Sequence, residues 1–484
     1  MRRKVCIVGA GWAGLSAAHS LAQSRHASIE VYEREAMIGG QASSQKRAKC
    51  FVEYSWRVYF SDYRNVRRIL RDIGALGNLE RLKKVIIATR GVGFSFQNVE
   101  GMSLFRVLRK FDVDYWSVAK AYHLFSLPQE TLDRDYADTG ALDYLGGHAI
   151  IKLILGPGLG FEPTKVTVPT VVRLLRTNLG RDLRFGRWLV TSGPPQSSIF
   201  APWKKYLEAR GVKFFLDTAC TGVVVRDGRV AGLNMEARRR GRGAPRRWTV
   251  RADEYVLSAS LQSAARITRA LGRTPTRAKM RRLQATCLQY YFSVNFYFAE
   301  ELGPDANYIL NSQPWQPIIE TKRSAPWKRA IRRSCDRGVV DVWSVDVFDF
   351  VPGRKHRRIL RHCSLAAAVD ETLHQVKTDP YIKGLRSKSG KTFADLYVGH
   401  EVHSFWGEKR GRIWTSNPKF SLNAGCAANL VDIAPRDFPP NLWVAAYFCT
   451  PARRHGVSTD ASCTIGLECA KAIKRGFARS PRRE

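Results

Sequence analysis

Residues 4–14 read KVCIVGAGWAG, a short apolar run that leads directly into a glycine-rich turn. An apolar run of this length is typical of a parallel strand buried on both faces. The glycines fit a dinucleotide-binding fingerprint: Gly9 permits the tight turn, Gly11 allows a pyrophosphate to come close, and Gly14 lets the next helix pack on the strand. This stretch predicts a Rossmann-like site almost at the start of the chain.

The residues that follow agree with this prediction. The first amides of the next helix, those of Trp12 and Ala13, would face the phosphates. Residues 28–32 have the pattern of a second strand. Glu33 ends that strand, where a carboxylate can accept hydrogen bonds from both hydroxyls of an adenosine ribose. Strand, turn, helix and acidic residue agree in spacing, which predicts a bound dinucleotide.

Gly39 and Gly40 follow six and seven residues after Glu33, and here the sequence resembles the FAD-dependent amine oxidase and phytoene desaturase superfamily. In that superfamily the second strand leads into Glu-x-x-x-x-x-Gly-Gly-Arg, whose glycines approach the FAD pyrophosphate and ribityl chain. The resemblance therefore implies that FAD is the cofactor and that this segment, with Arg34, binds it. Gln41 stands where the superfamily usually has Arg or Lys, so the phosphate contact must be weaker or supplied elsewhere.

Two internal segments carry the same resemblance. Residues 53–59 resemble the segment that these enzymes pass close to the flavin, which implies a cofactor contact for Trp56. Residues 214–259 resemble the returning part of the FAD domain, a β-meander with an Asp-Gly turn between two strands. Val223 or Val224 would be the position whose backbone meets the adenine.

The C-terminal part supplies a further block. Residues 441–447 resemble the superfamily strand Asn-Leu-Phe-Leu-Ala-Gly-Asp, and residues 458–466 resemble Ser-Met-Glu-Gly-Ala-x-x-Ser-Gly, which opens a helix running through Lys471. The resemblance implies that Ser458 and Thr459 bind the cofactor and that the helix N-terminus stabilises negative charge on the reduced ring.

This block departs from the superfamily at two positions. Tyr447 replaces the usual Asp, and Asp460 replaces the longer Glu. Tyr447 together with residues 461–463 resembles amine-oxidase-like proteins of large DNA viruses.

The implied fold class is α/β, with a Rossmann-like FAD-binding domain of the GR2 type and an interleaved α+β substrate domain. We expect a discontinuous FAD domain at residues 1–75, 200–275 and 420–484, and a substrate domain at residues 76–199 and 276–419. A chain of 484 residues with 44% apolar and 11% aromatic residues is large and apolar enough for such cores. Residues 286–298 predict a buried strand in the substrate domain, too short to span a bilayer.

The expected compartment and metal content rest on motifs that the sequence lacks. It has no recognisable targeting segment and no apolar run of transmembrane length. We therefore expect a soluble intracellular protein, cytoplasmic or carried in a virion if the chain is viral. The ten cysteines show no Cys-x-x-Cys spacing, which argues against a metal site or a disulfide scaffold and predicts mostly free thiols.

The charge is unusual, with 79 Lys and Arg against 42 Asp and Glu and a net charge of +37. Clusters of basic residues occur at 238–242, 354–358 and 474–483. A charged run is usually a solvated face, yet a net charge of this size attracts polyanions. A nucleic acid or an anionic membrane surface is therefore a candidate partner, beside a small-molecule substrate.

The resemblance also implies the chemistry, in which flavin N5 takes a hydride from an amine-bearing carbon or from an allylic carbon of a polyene. Amine oxidases place aromatic rings in front of the flavin, and the candidates here are Tyr54, Trp56, Trp406, Tyr447 and Phe448. Core packing explains each of these rings equally well. Lys419, just before the C-terminal block, is a candidate for binding through a water to N5.

Three functions remain open from the sequence. The first is an enzyme, an FAD-dependent oxidoreductase acting on an amine or an apolar polyene. The alternative is a catalytically weakened flavoprotein fold serving as a structural or packaged, polyanion-binding basic protein, which Gln41, Tyr447 and the charge favour. The third is a nucleic-acid-associated flavoprotein. A serine hydrolase is not supported, since no Gly-x-Ser-x-Gly motif occurs.

Overall fold

The structure is a computed structural model that describes residues 2–89, 92–95, 102–110, 113–147, 151–152, 162–179, 187–237, 244–420, 426–451 and 458–479. The basic run at 238–242 and the last residues of the basic C-terminal segment, 480–483, lie outside the described residues.

The described elements are numbered here in chain order. The strands are β1 (Arg3–Val8), β2 (Ala27–Tyr32), β3 (Ser44–Lys46), β4 (Phe51–Glu53), β5 (Tyr59–Phe60), β6 (Leu79–Arg81), β7 (Val85–Thr89), β8 (Val92–Ser95), β9 (Trp188–Thr191), β10 (Lys213–Phe215), β11 (Thr218–Arg226), β12 (Arg229–Ala237), β13 (Arg246–Val250), β14 (Glu254–Leu257), β15 (Leu288–Gln289), β16 (Tyr291–Phe298), β17 (Asn307–Leu310), β18 (Ile318–Thr321), β19 (Asp341–Phe348), β20 (Tyr397–Val402), β21 (Trp406–Lys409), β22 (Arg412–Thr415), β23 (Lys419–Phe420) and β24 (Leu442–Val444).

The α-helices are α1 (Trp12–Ala22), α2 (Arg64–Asp72), α3 (Leu104–Lys110), α4 (Tyr115–Ser126), α5 (Gln129–Asp135), α6 (Ala141–Leu145), α7 (Val168–Leu179), α8 (Ala201–Glu208), α9 (Leu261–Ile267), α10 (Pro275–Thr286), α11 (Ala325–Ser334), α12 (Leu365–Thr378), α13 (Pro380–Gly384), α14 (Phe393–Leu396) and α15 (Thr459–Arg479). Short 3-10 turns cover Gly40–Ala42, Leu76–Asn78, Thr268–Leu271, Leu360–His362 and Ala427–Asn429, and a π-helical turn covers Gln196–Phe200.

A five-stranded parallel sheet forms the nucleotide-binding half, in the order β10-β2-β1-β14-β24. Its central strand β1 is apolar and pairs on both sides, so that Ile7 lies between Val31 and Val256. Helix α1 leaves β1 through the glycine turn, and α15 packs against α1. The strands that sequence analysis expected near residues 4, 28, 214, 254 and 441 therefore form one sheet.

The predicted β-meander is formed by β11, β12 and β13, which pair antiparallel. Asp227 and Gly228 connect the first two strands, with φ angles of 49° and 70°. Two consecutive residues with positive φ make the type of two-residue hairpin turn that matches strand twist, and an Asp-Gly pair favours it.

A seven-stranded mixed sheet forms the other half, in the order β20-β16-β19-β18-β17-β7-β8. All eight residues of β16 are buried, as are all eight of β19. The predicted strand at 286–298 is confirmed as β16 from Tyr291 onward, with the short strand β15 before it, which pairs with β23 instead. The first residue of the predicted strand, Thr286, instead ends α10, because the Cys287 amide still donates to the carbonyl of Leu283.

The two faces of this sheet bury different side chains, as the alternation along a strand requires. On one face Ile87 and Ile309 pack against the helices α3 to α7. On the other face Ile86 and Val345 pack against α12. The nucleotide-binding sheet has its own core, so the chain buries three large apolar clusters among the described residues.

Two features correct or extend the expectations. Cys50 pairs with Cys335 and Cys287 with Cys426 in disulfides, contrary to the expectation of no disulfide scaffold, while the other six cysteines are free thiols, as expected for most of them. The paired cysteines are 285 and 139 residues apart, so no local spacing could indicate them. The last helix continues eight residues past Lys471 to Arg479. Among the described helices, none combines the length and the apolar character needed to cross a membrane.

Candidate functional site

A cavity of about 370 Å³ lies between the two large sheets. One end is bordered by Glu33 and the start of β11, and the middle by the two glycine turns and the start of α15. The other end is apolar and is bordered by residues of the seven-stranded sheet and of α7. The cavity therefore joins the predicted nucleotide site to the predicted substrate region.

The first glycine turn has the geometry that its sequence predicts. A Cβ on Gly9, whose φ is +99°, would lie 2.3 Å from the Ser258 carbonyl oxygen, and one on Gly14 would lie 2.0 Å from the Gly9 oxygen. A Cβ on Gly11 would meet nothing within 4 Å, which leaves the space that a pyrophosphate needs. Gly9, Gly11, Trp12 and Ala13 border the cavity, while Gly14 serves the contact between helix and strand.

Glu33 is held in place by the backbone. One carboxylate oxygen accepts the Ala10 amide at 2.7 Å and the other accepts the Glu35 amide at 3.0 Å. Burial raises the pKa of Glu33, and these two amides oppose that rise. Each oxygen has a further lone pair, so the carboxylate can still accept from a ribose. Arg34 borders the cavity beside it and donates to Glu35 and Ser416.

The predicted adenine contact, Val223, does not border the cavity, whereas the start of β11 does. Thr218, Ala219 and Cys220 border the cavity, whereas Val223 pairs with Leu233 inside the core. The Thr218 amide donates to the backbone oxygen of Glu33 at 2.8 Å, which fixes the start of this strand beside Glu33.

A register irregularity between Cys220 and Gly222 separates the start of β11 from its later residues. A bulge of this kind bends a strand, so the later residues of β11 leave the cavity.

The second glycine turn packs against the first. Gly39 and Gly40 have φ angles of +119° and +55°, and a Cβ on Gly40 would lie 3.3 Å from the Gly11 Cα atom. Gln41 also borders the cavity. Its side-chain amide donates to the backbone oxygens of Asn417 and Pro418, both at 3.0 Å. Gln41 therefore ties the glycine turn to the loop before Lys419.

The C-terminal block reaches the cavity at three predicted positions. Ser458, Thr459 and Tyr447 all border it, and burial raises the pKa of Tyr447. Asp460 has a different role, since its Oδ1 accepts the amides of Asn65 and Val66 at 2.8 and 2.9 Å. It therefore caps the first turn of α2.

Two ionisable groups lie near the apolar end of the cavity: Lys419, which borders it and is half-buried, and Asp346, which is fully buried behind its wall. The Lys419 ammonium lies 3.4 Å from the centre of the Tyr291 ring. Burial, and then the charge of Arg57, lower the pKa of Lys419, while Asp346 partly opposes this. Burial raises the pKa of Asp346, and Lys419 opposes that rise. Asp346 also accepts the backbone amide of Trp56 at 2.9 Å, so it holds the segment that borders the cavity.

Three of the five predicted aromatic candidates lie elsewhere. Trp406 is stacked on Tyr54, with ring centres 5.9 Å apart, and belongs to the core of the seven-stranded sheet. Phe448 is fully buried. Only Trp56 and Tyr447 border the cavity, so core packing explains the other three rings, and Trp406 is not a candidate for touching a substrate.

Sequence reasoning missed several residues of the cavity. Phe405 and Arg266 border it, and Asp346 lies behind its wall. Arg57 also borders the cavity; it lies in the segment expected near the flavin but was given no role of its own. For Asp346 a signal was present, because a charged residue inside the apolar strand β19 is expensive to bury and demands a partner. The described residues contain no group of three or more side chains able to hold a metal.

Comparison with known proteins gives the following matches. Residues 7–73 match the family described as NAD(P)-binding Rossmann-like domain. The chain is 26% identical to zeta-carotene desaturase of Solanum lycopersicum over 299 residues, which cover 54% of this chain and 49% of that protein. It is 26% identical to zeta-carotene desaturase of Synechocystis over 269 residues, or 46% and 54% of the two proteins. The chain thus spans about half the length of these curated relatives.

Solved structures match over nearly the whole chain. A putative protoporphyrinogen oxidase from Exiguobacterium aligns with a TM-score of 0.62 at 14% identity, covering 98% of this chain and 99% of that one. Putrescine oxidase bound to putrescine aligns with a TM-score of 0.59 at 13% identity, covering 98% and 99%. These similarities establish the fold. The predicted Rossmann-like α/β fold and the resemblance to the amine oxidase and desaturase superfamily are confirmed.

Proposed function

We propose that this relative of the amine oxidases and desaturases is an FAD-dependent oxidoreductase that takes a hydride from an amine or an apolar polyene-type substrate. The observation that carries the proposal is the continuity of the cavity, which runs from Glu33 past both glycine turns to the apolar end beside Lys419. A cofactor and a substrate can therefore share one cavity.

The residues along the cavity fit FAD. Glu33 offers carboxylate lone pairs at the ribose position, and Gly11 leaves room for a pyrophosphate. The N-termini of α1 and α15 both border the middle of the cavity, where two helix dipoles favour a negatively charged group. The cavity extends well beyond the pyrophosphate position, which favours a cofactor with a long second half.

When bound, FAD supplies the ring that accepts the hydride. The protein residues supply the surroundings for that step. Apolar side chains border the far end of the cavity: Val58, Val85, Ile87, Leu175, Trp188 and Ile309. They exclude water and suit the carbon skeleton of a polyene or of a hydrophobic amine.

Lys419 is the catalytic candidate that the geometry favours. It borders the apolar end, and its lowered pKa increases the fraction of neutral amine near neutral pH. A neutral amine can hold a water by accepting a hydrogen bond from its O–H group, or can take a proton from a substrate. Trp56 and Tyr447 line the same cavity and would orient a substrate, while Trp406 supports the wall from behind.

The domain division follows the same proposal. We assign residues 1–75, 200–275 and 420–484 to FAD binding, since every strand of the five-stranded sheet comes from these ranges. Residues 76–199 and 276–419 would bind the substrate. The alternative of a structural, polyanion-binding protein has no support from the comparisons and remains a prediction from the charge alone.

The test begins with an absorbance spectrum of the purified protein between about 300 and 550 nm, followed by heat release and identification of any flavin. Bound FAD and its bleaching by an amine or a polyene without oxygen are the expected results. A colourless protein that FAD cannot reconstitute would contradict the proposal. Bleaching by amines alone or by polyenes alone would identify the substrate class.

A further inference from the structure

Arg57 lies in the wall of the cavity, on the segment after β4 that also brings Trp56 there. Its Nη2 and Nε atoms donate to the backbone oxygen of Gln41, at 2.7 and 3.3 Å. A guanidinium that binds one carbonyl through two of its nitrogens has a fixed position and orientation. These bonds therefore place the charge of Arg57 beside the second glycine turn, at Gly39 and Gly40.

The charge of Arg57 has no counter-charge within the part of the chain that the structure describes. No carboxylate there lies within 4.0 Å of its nitrogens. Asp346, the buried acid of this region, instead contacts the Trp56 amide and acts on Lys419. Lys419 is itself a base whose protonated form Arg57 disfavours.

Two basic groups, Arg57 and Lys419, thus border the same cavity, and both are partly buried. A partly buried cation is costly without an anion nearby. An anionic group of whatever occupies the cavity would remove that cost.

Gln41 does not provide a charge at this place. Its side-chain nitrogen is committed to the oxygens of Asn417 and Pro418. The remaining guanidinium N–H groups of Arg57 have no protein acceptor among the described residues. These N–H groups can donate hydrogen bonds to a phosphate or a carboxylate, because the geometry of a guanidinium allows paired hydrogen bonds to two oxygens of either group.

We infer that Arg57 binds an anionic group of the cavity's occupant. The anion comes either from the pyrophosphate of the cofactor or from a carboxylate on the substrate, and the first source rests on the proposed function. The bond to Gln41 favours the cofactor, since it fixes Arg57 next to the glycines that border the middle of the cavity. A substrate source would mean that the enzyme prefers an apolar molecule with an acidic end.

The test uses three variants of the full chain. Arg57→Met removes the charge, and Arg57→Lys keeps the charge but loses the paired donors. Arg64→Met is the matched control, because Arg64 is an exposed arginine at the start of α2 that does not border the cavity. Thermal unfolding of each variant establishes that it is folded. Calorimetry then gives the dissociation constants of FAD, ADP and octanoate.

A cofactor source predicts that Arg57→Met weakens FAD and ADP binding by about 10- to 100-fold, the size of one charge-assisted interaction. Arg57→Lys should weaken FAD and ADP binding less than Arg57→Met does, and the affinity for octanoate should not change in either variant. A substrate source predicts the reverse, with octanoate weakened and both nucleotides unchanged. Arg64→Met should match the wild type in every titration.

Equal dissociation constants for all three ligands in wild type and Arg57→Met would overturn the inference. A wild type that binds ADP or octanoate but not FAD would overturn the proposed function, while those two ligands would still decide the role of Arg57. A wild type that binds none of the three would overturn both.

Discussion

Glu33 illustrates how single residues are prepared for a ligand by the backbone around them. Its two carboxylate oxygens are fixed by the amides of Ala10 and Glu35, and the side chain is only 9% exposed. The carboxylate therefore loses little further freedom when a ribose binds, which increases affinity. Burial disfavours the charged forms of Lys419 and Asp346 as well.

Glu33→Gln should weaken FAD binding by about 10- to 100-fold, because a charge-assisted hydrogen bond is lost and an amide NH₂ group faces a backbone N–H donor. Fluorescence titration of the protein with FAD measures the effect. Glu236→Gln is the control, since Glu236 pairs with Arg247 on the β-meander away from the cavity. Unchanged affinity in Glu33→Gln would show that Glu33 does not hold the ribose.

The lowered pKa of Lys419 predicts a pH-dependent stability. Its pKa in the native chain lies below the value of 10.5 for a free side chain. Between these two values the unfolded chain binds a proton that the native chain does not. The contribution of Lys419 to the free energy of unfolding therefore rises with pH across this window.

Lys419→Met should remove this dependence. The free energy of unfolding of Lys419→Met should exceed that of wild type by the largest amount near pH 7. This difference should shrink as the pH rises to about 9.5. Urea unfolding at four pH values measures the difference. Lys409→Met, at an exposed lysine, should differ from wild type by the same amount at every pH. A constant difference for Lys419→Met would contradict the lowered pKa.

At the scale of elements, helix α15 both borders the cavity and packs closely against α1, and its two glycines differ in how tightly they are packed. Its N-terminus borders the cavity through Thr459 and Ser462. Further along, a Cβ on Gly466 would lie 2.1 Å from the Ala13 backbone oxygen, whereas one on Gly476 would meet nothing within 4 Å. The close approach of α15 to α1 at Gly466 thus positions both helix N-termini at the cavity.

Gly466→Ala should destabilise the chain by about 1–3 kcal/mol, because the added methyl forces two packed helices apart. The same substitution should weaken FAD binding, since it shifts the start of α15. Gly476→Ala is the matched control and should stabilise the helix by up to about 1 kcal/mol. Urea unfolding of both variants measures the contrast, and equal stabilities would contradict the packing argument.

At the scale of the whole molecule, the cavity lies between the two sheets, and the chain carries a net charge of +37. These are independent properties, because the cavity is determined by packing and the long-range field by the sum of charges. Exposed arginines such as Arg332 and Arg333 on α11 contribute to this field. A polyanion could therefore bind without occupying the cavity.

Binding to double-stranded DNA should weaken steeply with salt, by about 10³-fold or more between ~50 and ~200 mM if six or more phosphates are neutralised. Filter binding across a salt series measures this dependence. A double variant, Arg332→Glu with Arg333→Glu, should bind more weakly and with a shallower slope if α11 contributes. An affinity that barely changes with salt would contradict a polyanion partner.

The sequence alone predicted the nucleotide-binding half of the site because its contacts are local. Strand β1, the glycine turn, α1, β2 and Glu33 lie within 31 consecutive residues, from Arg3 to Glu33. In such a unit, apolar runs determine the strands, glycines determine the backbone conformation of the turn, and the length of the second strand determines where the acidic residue lies. The Asp227–Gly228 turn was predictable for the same reason.

Only the tertiary structure decided which distant residues meet. The bulge in β11 places Thr218 rather than Val223 at the cavity, and packing buries Trp406 behind Tyr54. The disulfides, the contact of Gln41 with Asn417, and the position of Arg57 were equally invisible. The direction of a side chain depends on strand register and on the segments packed against it. Those neighbours are distant in the sequence, so no local sequence pattern predicts them.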